Sequence, residues 1–224
     1  MNKQILSFLS IVAVCHLSMA EEVSSNPGFY GDIFGGAAVF QDGEVNVITT
    51  ASQAEREFEI DTGYSTGLRL GYDFGSFRVE GEYTYAAGDI SSLEASPNSV
   101  SVSSEYTSHS LMLNGLIDYD LSPFLISAGV GLGASNVEYG KMSVSGLTAV
   151  DDVDGSVFSY QGILRASYQV SERALIGFSY RYVVNEGLDD SGSIDTSTTT
   201  TVSSDFKYKE VGISLFEIFF SYDF

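Results

Sequence analysis

The chain has 224 residues, with ten Lys and Arg, thirty Asp and Glu, and a formal net charge of −20. This acidity argues against nucleic acid as a partner, because phosphate binding needs basic patches. High net charge is also typical of disorder, but 14 tyrosines and 15 phenylalanines predict a folded chain. No segment after Ala20 approaches the roughly 20 consecutive apolar residues of a membrane helix.

The first twenty residues are predicted to be a cleaved secretory signal peptide. Lys3 supplies the positive start, and Ile5 to Leu17 is mostly apolar but too short for a stop-transfer helix. Ser18 and Ala20 place small residues at positions −3 and −1, so we expect cleavage before Glu21. The mature domain is then residues 21–224.

Cys15 leaves open a lipoprotein interpretation, in which a lipid is attached to that thiol. Val14 is larger than the residue that usually precedes such a cysteine, so an ordinary apolar signal residue is favoured. Cys15 is the single cysteine of the chain. Cleavage at Glu21 therefore predicts a mature protein with no disulfide and no thiol chemistry.

Eight segments of the mature chain alternate bulky apolar residues with small or polar ones, a pattern that predicts β-strands. The segments are Gly28–Phe40, Gly63–Phe74, Phe77–Ala87, Ser108–Leu121, Phe124–Val137, Val157–Val170, Ala174–Asn185 and Phe206–Phe224. Three connections are two or three residues long. The other four are about twenty residues long, at Gln41–Thr62, Gly88–Thr107, Glu138–Ser156 and Glu186–Asp205.

Short turns at one end and long loops at the other are the plan of outer-membrane barrels. A membrane protein without membrane helices must close its sheet, because unpaired backbone groups cannot face lipid. We therefore predict an all-β fold: an eight-stranded antiparallel up-and-down transmembrane β-barrel. The short turns are expected in the periplasm and the four long loops outside the cell.

The second and third strands predict their own register. A two-residue turn pairs Phe74 with Phe77, which places Arg69 opposite Glu82 and Asp73 opposite Arg78. Opposite charges facing each other across strands are favourable. Every charge of this hairpin falls on one face, which we assign to the barrel interior, and the leucines and tyrosines fall on the face assigned to lipid.

The same alternation in the other strands predicts a luminal charge network. Its members are Asp32, Arg69, Asp73, Arg78, Glu80, Glu82, Asp118, Arg165, Arg181 and Glu217. The interior of an eight-stranded barrel is just wide enough for side chains to fill, and buried charges persist when they are paired. The pattern favours a salt-bridge plug. The alternative is a gate whose pairs exchange partners to open a narrow ion path.

Three glycines on the fifth strand are expected to leave room for these arginines: Gly129, Gly131 and Gly133.

A second local pattern lies at the C-terminal end of the chain. Its members alternate up to the last residue: Phe216, Ile218, Phe220, Tyr222 and Phe224. This run resembles the C-terminal assembly signal of bacterial outer-membrane barrels, which implies recognition by the barrel-assembly machinery; Phe219 is the exception in the alternation.

The stretches Phe158–Gln161 and Ala174–Tyr182 resemble the sixth and seventh strands of a family of small outer-membrane barrels. That family includes opacity proteins and the membrane domain of outer membrane protein A, and its strands often read YQ…G…Y and then GYRY. The resemblance implies eight strands, a filled interior and loop-mediated surface roles such as adhesion or antigenicity, and some relatives are called porins. No C-terminal periplasmic domain is seen, so a peptidoglycan-anchoring role is not implied.

Catalysis is disfavoured because the mature chain has one histidine, His109, on the predicted lipid face. Ser108 and Ser110 point the other way, so a Ser–His pair on one face is unavailable. Lipid-A deacylases and palmitoyl transferases of the barrel type use such a pair. The segment Asp152–Gly155 resembles part of a calcium loop but lacks the downstream ligands. We predict no catalytic residue, cofactor or metal.

The four long loops carry sixteen of the twenty-one net negative charges of the mature chain. An acidic rim of this kind either solvates the loops or binds divalent cations that bridge it to lipopolysaccharide. The Ser/Thr run from Ser191 to Ser204 is low in complexity and predicted to be mobile. The favoured function is structural and surface-interacting, with outer-membrane lipid and lipopolysaccharide around the barrel and a host or surface ligand at the loops. The alternative is a narrow porin.

Overall fold

The computed structural model describes residues 27–49, 53–95, 98–140, 142–143, 149–150, 153–197 and 200–224. The predicted signal peptide, residues 1–20, lies outside the described residues, as do Asp151 and Asp152 of the calcium-loop-like segment. The described part of the chain contains no helix long and apolar enough to cross a membrane.

The described residues form fourteen β-strands. In chain order they are β1 (Gly28–Phe40), β2 (Gly43–Thr49), β3 (Gln53–Ile60), β4 (Gly63–Asp73), β5 (Phe77–Ala95), β6 (Asn98–Leu121), β7 (Phe124–Tyr139), β8 (Met142–Ser143), β9 (Ala149–Val150), β10 (Val153–Ser171), β11 (Ala174–Asn185), β12 (Asp189–Ser197), β13 (Thr200–Tyr208) and β14 (Val211–Asp223).

Eight of these strands close into a barrel. The antiparallel order is β1–β4–β5–β6–β7–β10–β11–β14, and β14 pairs back onto β1. Closure leaves no unpaired edge in the membrane, as a spanning sheet requires. The predicted fold class is therefore confirmed. Gly75 in the first short turn has φ 104°, a conformation that glycine adopts without steric cost.

The predicted register of the β4–β5 hairpin is also confirmed. Arg69 lies opposite Glu82, and Asp73 lies opposite Arg78. The two faces differ as expected: Leu70 is 62% exposed on the outer face, whereas Arg69 is fully buried in the lumen. An apolar outer face around a polar interior is the inverse of a soluble protein and is typical of outer-membrane barrels.

The long connections contain paired strands within the described residues, which the alternation did not predict. β5 runs on to Ala95 and β6 begins at Asn98, so this hairpin extends far beyond the barrel. The pairs β2–β3 and β12–β13 add two more hairpins, and β13 pairs with β2 while β3 pairs with β5. The extracellular ends thus continue the barrel as a sheet.

The described part of the Ser/Thr run, residues 191–197 and 200–204, lies within β12 and β13, where Ser191 pairs with Asp205. Its mobility stays a prediction. Threonine is a good strand former, which is consistent with this pairing. The neighbouring β2 supplies a paired edge on which the hairpin extends the ladder.

Candidate functional site

The strands bring three arginines and four carboxylates together in the middle of the lumen. We call these seven residues the inner cluster: Asp32, Arg69, Glu80, Glu82, Arg165, Arg181 and Glu217. All are at most 3% exposed. They come from six of the eight barrel strands, because each lies on the inward-facing parity of its own strand.

Four members of the inner cluster form a closed ring of ion pairs. Arg69 Nε donates to Glu82 Oε2 at 2.7 Å, and Arg69 Nη2 donates to Glu217 Oε2 at 3.0 Å. Arg181 donates to both of the same glutamates, Glu82 through Nη1 and Glu217 through Nη2 and Nε. Since β5 and β11 lie on opposite sides of the eight-strand circuit, this ring crosses the lumen.

A second pair lies on the periplasmic side of the ring. Arg165 donates to both oxygens of Glu80, at 2.8 and 2.6 Å. The same carboxylate accepts from Tyr30 Oη at 2.7 Å and from Asn114 Nδ2 at 2.9 Å. Bidentate arginine–carboxylate contacts are among the strongest hydrogen bonds in proteins. This pair ties β10 to β5, again across the barrel.

Arg78 and Asp118 form a separate pair nearer the short turns. Arg78 Nε lies 2.7 Å from Asp118 Oδ2, and Arg78 Nη2 donates to Ser127 Oγ at 2.7 Å. Asp73 faces Arg78 in the register, and its carboxylate accepts a hydrogen bond from the Gly75 amide at 2.6 Å. Asp73 therefore also fixes the turn, a role that the sequence pattern did not suggest.

Asp32 is buried beside this network but is held less closely. Its Oδ2 lies 3.7 Å from Arg69 Nη1 and 3.9 Å from Arg165 Nη1. All ten residues of the predicted network thus lie in or beside the lumen, and Asp32 has the longest contacts of the buried carboxylates.

Inward-facing aromatic rings are one part of the lumen that the sequence pattern did not predict. The Arg69 guanidinium carbon lies 3.8 Å from the Phe34 ring centre, and that of Arg181 lies 4.9 Å from it. Such stacking is favourable, more so away from water. The Phe34 ring covers Gly67, where a Cβ would lie 2.3 Å from it. Phe219, the exception in the C-terminal alternation, turns inward and is buried.

The three glycines of β7 do not accommodate arginines, which corrects our expectation. A Cβ at Gly131 would meet Asn114 Oδ1, one at Gly129 would meet Leu116, and one at Gly133 would meet Met112. The space is filled by neighbouring β6 side chains, because directly paired residues on one face lie closest.

A cluster of buried apolar residues, which we call the apolar cap, fills the lumen at the extracellular end. Phe40 packs against Tyr106 with ring centres 5.4 Å apart, and Tyr106 packs against Tyr139 at 5.2 Å. The cap consists of Ala38, Phe40, Ile60, Ala86, Ile90, Tyr106, Met112, Val137, Tyr139, Val153, Val157, Val183, Val211, Ile213 and Leu215.

A cavity of about 10 Å³ lies between the cap and the inner cluster, with Glu82, Ser110 and Leu215 among its lining residues. That volume is at the lower limit for holding one water molecule. Hydroxyl groups line the wall beside it, where Ser135 Oγ lies 2.7 Å from the hydroxyls of both Ser110 and Ser159.

His109 lies on the outer face, as predicted, and is exposed. Its Nδ1 lies 2.8 Å from Tyr83 Oη. Ser108 and Ser110 are buried in the lumen on the other side of the sheet. The predicted separation of histidine and serine is confirmed, so β6 provides no Ser–His pair on one face.

The C-terminal alternation also has the predicted geometry. The five residues of the assembly signal all face outward, with exposures from 42% for Phe216 to 74% for Phe224. Their recognition by the assembly machinery stays a prediction.

A family model described as "Outer membrane protein beta-barrel domain" matches residues 6–215. The crystal structure of the outer membrane protein OprG from Pseudomonas aeruginosa is similar, with a TM-score of 0.62 and 16% identity over 88% of this chain and 96% of that one. The outer membrane protease OmpT from Escherichia coli has a TM-score of 0.55 and 8% identity, over 92% of this chain and 99% of that one. No curated protein matches the sequence. At these identities the two structural likenesses show the fold alone.

Proposed function

The chain belongs to the family of outer membrane protein β-barrel domains, and we propose that this outer-membrane barrel is a filled scaffold that displays an extracellular sheet to surface partners. The alternative is a narrow channel gated by the luminal ion pairs. The two differ in one physical property, which is whether water and ions can cross the lumen.

The observation that carries the proposal is that the lumen is closed at two levels by different chemistry. The ion-pair ring crosses from β5 to β11, and the apolar cap seals the extracellular end. A channel would have to exchange the ion pairs and also wet an apolar constriction, which resists ion passage by itself. The cavity between the two levels is water-sized.

The partners we propose follow from the outer surface. Outer-membrane lipid covers the apolar band, and the assembly machinery reads the outward residues of β14. Beyond the band, Asp89 lies opposite Glu105, and Glu138 lies opposite Asp154, all exposed. Like charges facing each other across strands are unfavourable. Divalent cations that bridge these carboxylates to lipopolysaccharide would relieve the repulsion, and a host or surface ligand would bind farther out.

Planar-bilayer recordings of the purified protein test the proposal. We expect no steady conductance from the wild type, and none from Arg69→Ala or Glu82→Ala, because the apolar cap remains. Arg173→Ala, at an exposed periplasmic turn, is the matched control for loss of an arginine. A heat-shift gel, in which a folded barrel migrates differently before boiling, verifies that each variant is folded. Steady wild-type conductance that changes in Arg69→Ala or Glu82→Ala would establish the channel instead.

A further inference from the structure

The inner cluster has unequal numbers of charges. It contains four carboxylates but three guanidinium groups, all at most 3% exposed. The Arg78–Asp118 pair beside it is neutral as a pair and does not alter the difference. With every group ionised, the inner cluster would hold one uncompensated negative charge. A buried charge without a partner is costly, and such a group is neutralised rather than left ionised.

The contacts identify which carboxylate is in excess. Glu80 accepts four hydrogen bonds, two of them from Arg165. Glu82 and Glu217 each contact both arginines of the ring. Asp32 differs, because neither of its oxygens has a hydrogen-bond partner among the described residues and its nearest guanidinium nitrogens lie 3.7 and 3.9 Å away.

The hydroxyl of Ser221 lies next to this carboxyl group without a partner. Ser221 on β14 pairs with Asp32 in the register, and its Oγ is buried and makes no hydrogen bond within the described residues. An ionised carboxylate only accepts hydrogen bonds, whereas a protonated one also donates. The Ser221 hydroxyl can donate to either form of this carboxyl group, so it does not by itself select one. A proton on Asp32 would also let the carboxyl donate to Ser221 Oγ and would leave its second oxygen for Arg69 Nη1, which is also without a hydrogen bond.

We propose that Asp32 is a proton-binding site in the lumen, and that its proton makes the inner cluster neutral. The groups that face it are Arg69 on β4, Glu80 on β5, Arg165 on β10, and Ser221 and Asp223 on β14. Each of the two arginines is already engaged by a glutamate, and Glu80 and Asp223 place further negative charge near Asp32.

The site makes the stability of the barrel depend on pH. An aspartate in the unfolded chain ionises near pH 3.9, so above that pH the folded barrel holds a proton that the unfolded chain has released. Stability from this group therefore falls as pH rises, until Asp32 ionises in the folded state. Over that window the folded-to-unfolded ratio decreases by up to tenfold per pH unit.

Infrared spectroscopy of the full-length protein in lipid vesicles, with ¹³C-labelled aspartate carboxyl groups, tests the assignment at pH 7. The wild-type-minus-D32N difference spectrum should contain the C=O stretch of a protonated carboxyl. D118N is the matched control, because Asp118 is paired with Arg78, and its difference spectrum should contain only the bands of an ionised carboxylate. A D32N difference spectrum with carboxylate bands alone would overturn the proposal.

Urea unfolding between pH 5 and 8 supplies a second readout. The unfolding midpoint of the wild type should fall with rising pH relative to D32N, because only the wild type loses a proton from this site on unfolding. Equal pH dependence in the two proteins would also overturn the proposal. Neither result depends on whether the barrel conducts or on what its extracellular sheet binds.

Discussion

Replacing Arg181 by methionine should destabilise the barrel by about 3–5 kcal/mol, the cost of leaving buried charges without a partner. Arg181 is 1% exposed and contacts both Glu82 and Glu217. Methionine is a flexible apolar side chain that fills irregular space, so the main loss is charge compensation. The two glutamates would then share Arg69 and repel each other.

A double variant tests whether lost charge compensation is the cause of this destabilisation. Adding Glu217→Gln to Arg181→Met removes one negative charge and restores the balance of the ring, so the double variant should be less destabilised than the sum of the single variants by about 0.5–3 kcal/mol. Arg173→Met, at an exposed turn, should change stability by less than about 0.5 kcal/mol. The chain contains no tryptophan, so urea unfolding in vesicles is followed by far-UV circular dichroism and gel mobility. Additive losses in the double variant would refute the charge-balance reasoning.

Two further substitutions test the packing of each face. Gly67→Ala should cost about 1–3 kcal/mol, because its Cβ would lie 2.1 Å from the Tyr83 carbonyl oxygen and 2.3 Å from the Phe34 ring; Gly115→Ala, with open space around the added carbon, should be nearly neutral in the same urea assay. Val130→Arg places a charge on the lipid face and should cost about 2–4 kcal/mol. Glu138→Arg, exposed farther along the same strand and opposite Asp154, should cost far less, and an equal loss would contradict the assignment of a lipid-facing band.

The sequence was sufficient for the barrel and for the register of its clearest hairpin. Arg69 and Glu82 could be paired in advance because a two-residue turn fixes the register and a one-residue slip would move both charges to the lipid face. The same constraint located Arg165, Arg181 and Glu217 in the lumen. It did not determine partners across the barrel, because contacts such as Arg181 with Glu82 join strands that are not neighbours.

The apolar cap and the extracellular sheet were not predicted, for a related reason. Residues such as Ile60 and Tyr106 lie next to polar, acidic stretches, so the connections that contain them were interpreted as solvated loops. An inward-facing isoleucine and a lipid-facing one follow the same alternation, so the pattern alone does not tell whether the far end of a lumen is polar or apolar. Only the closed circuit of strands brings Ile60, Tyr106 and Val211 together.

The position of the ion-pair ring also explains how the barrel stabilises the pairing of its first and last strands. β1 and β14 are the first and last strands of the barrel and must pair across nearly the whole described chain. Arg69 on β4 reaches past β1 to Glu217 on β14 at 3.0 Å, and Ser65 donates to the same carboxylate at 3.0 Å. Beneath these contacts, Phe34 of β1 lies under the Arg69 guanidinium. The side chains that fill the lumen therefore also stabilise the join, because opening it would separate Glu217 from Arg69 and expose charges that are paired only in the closed barrel.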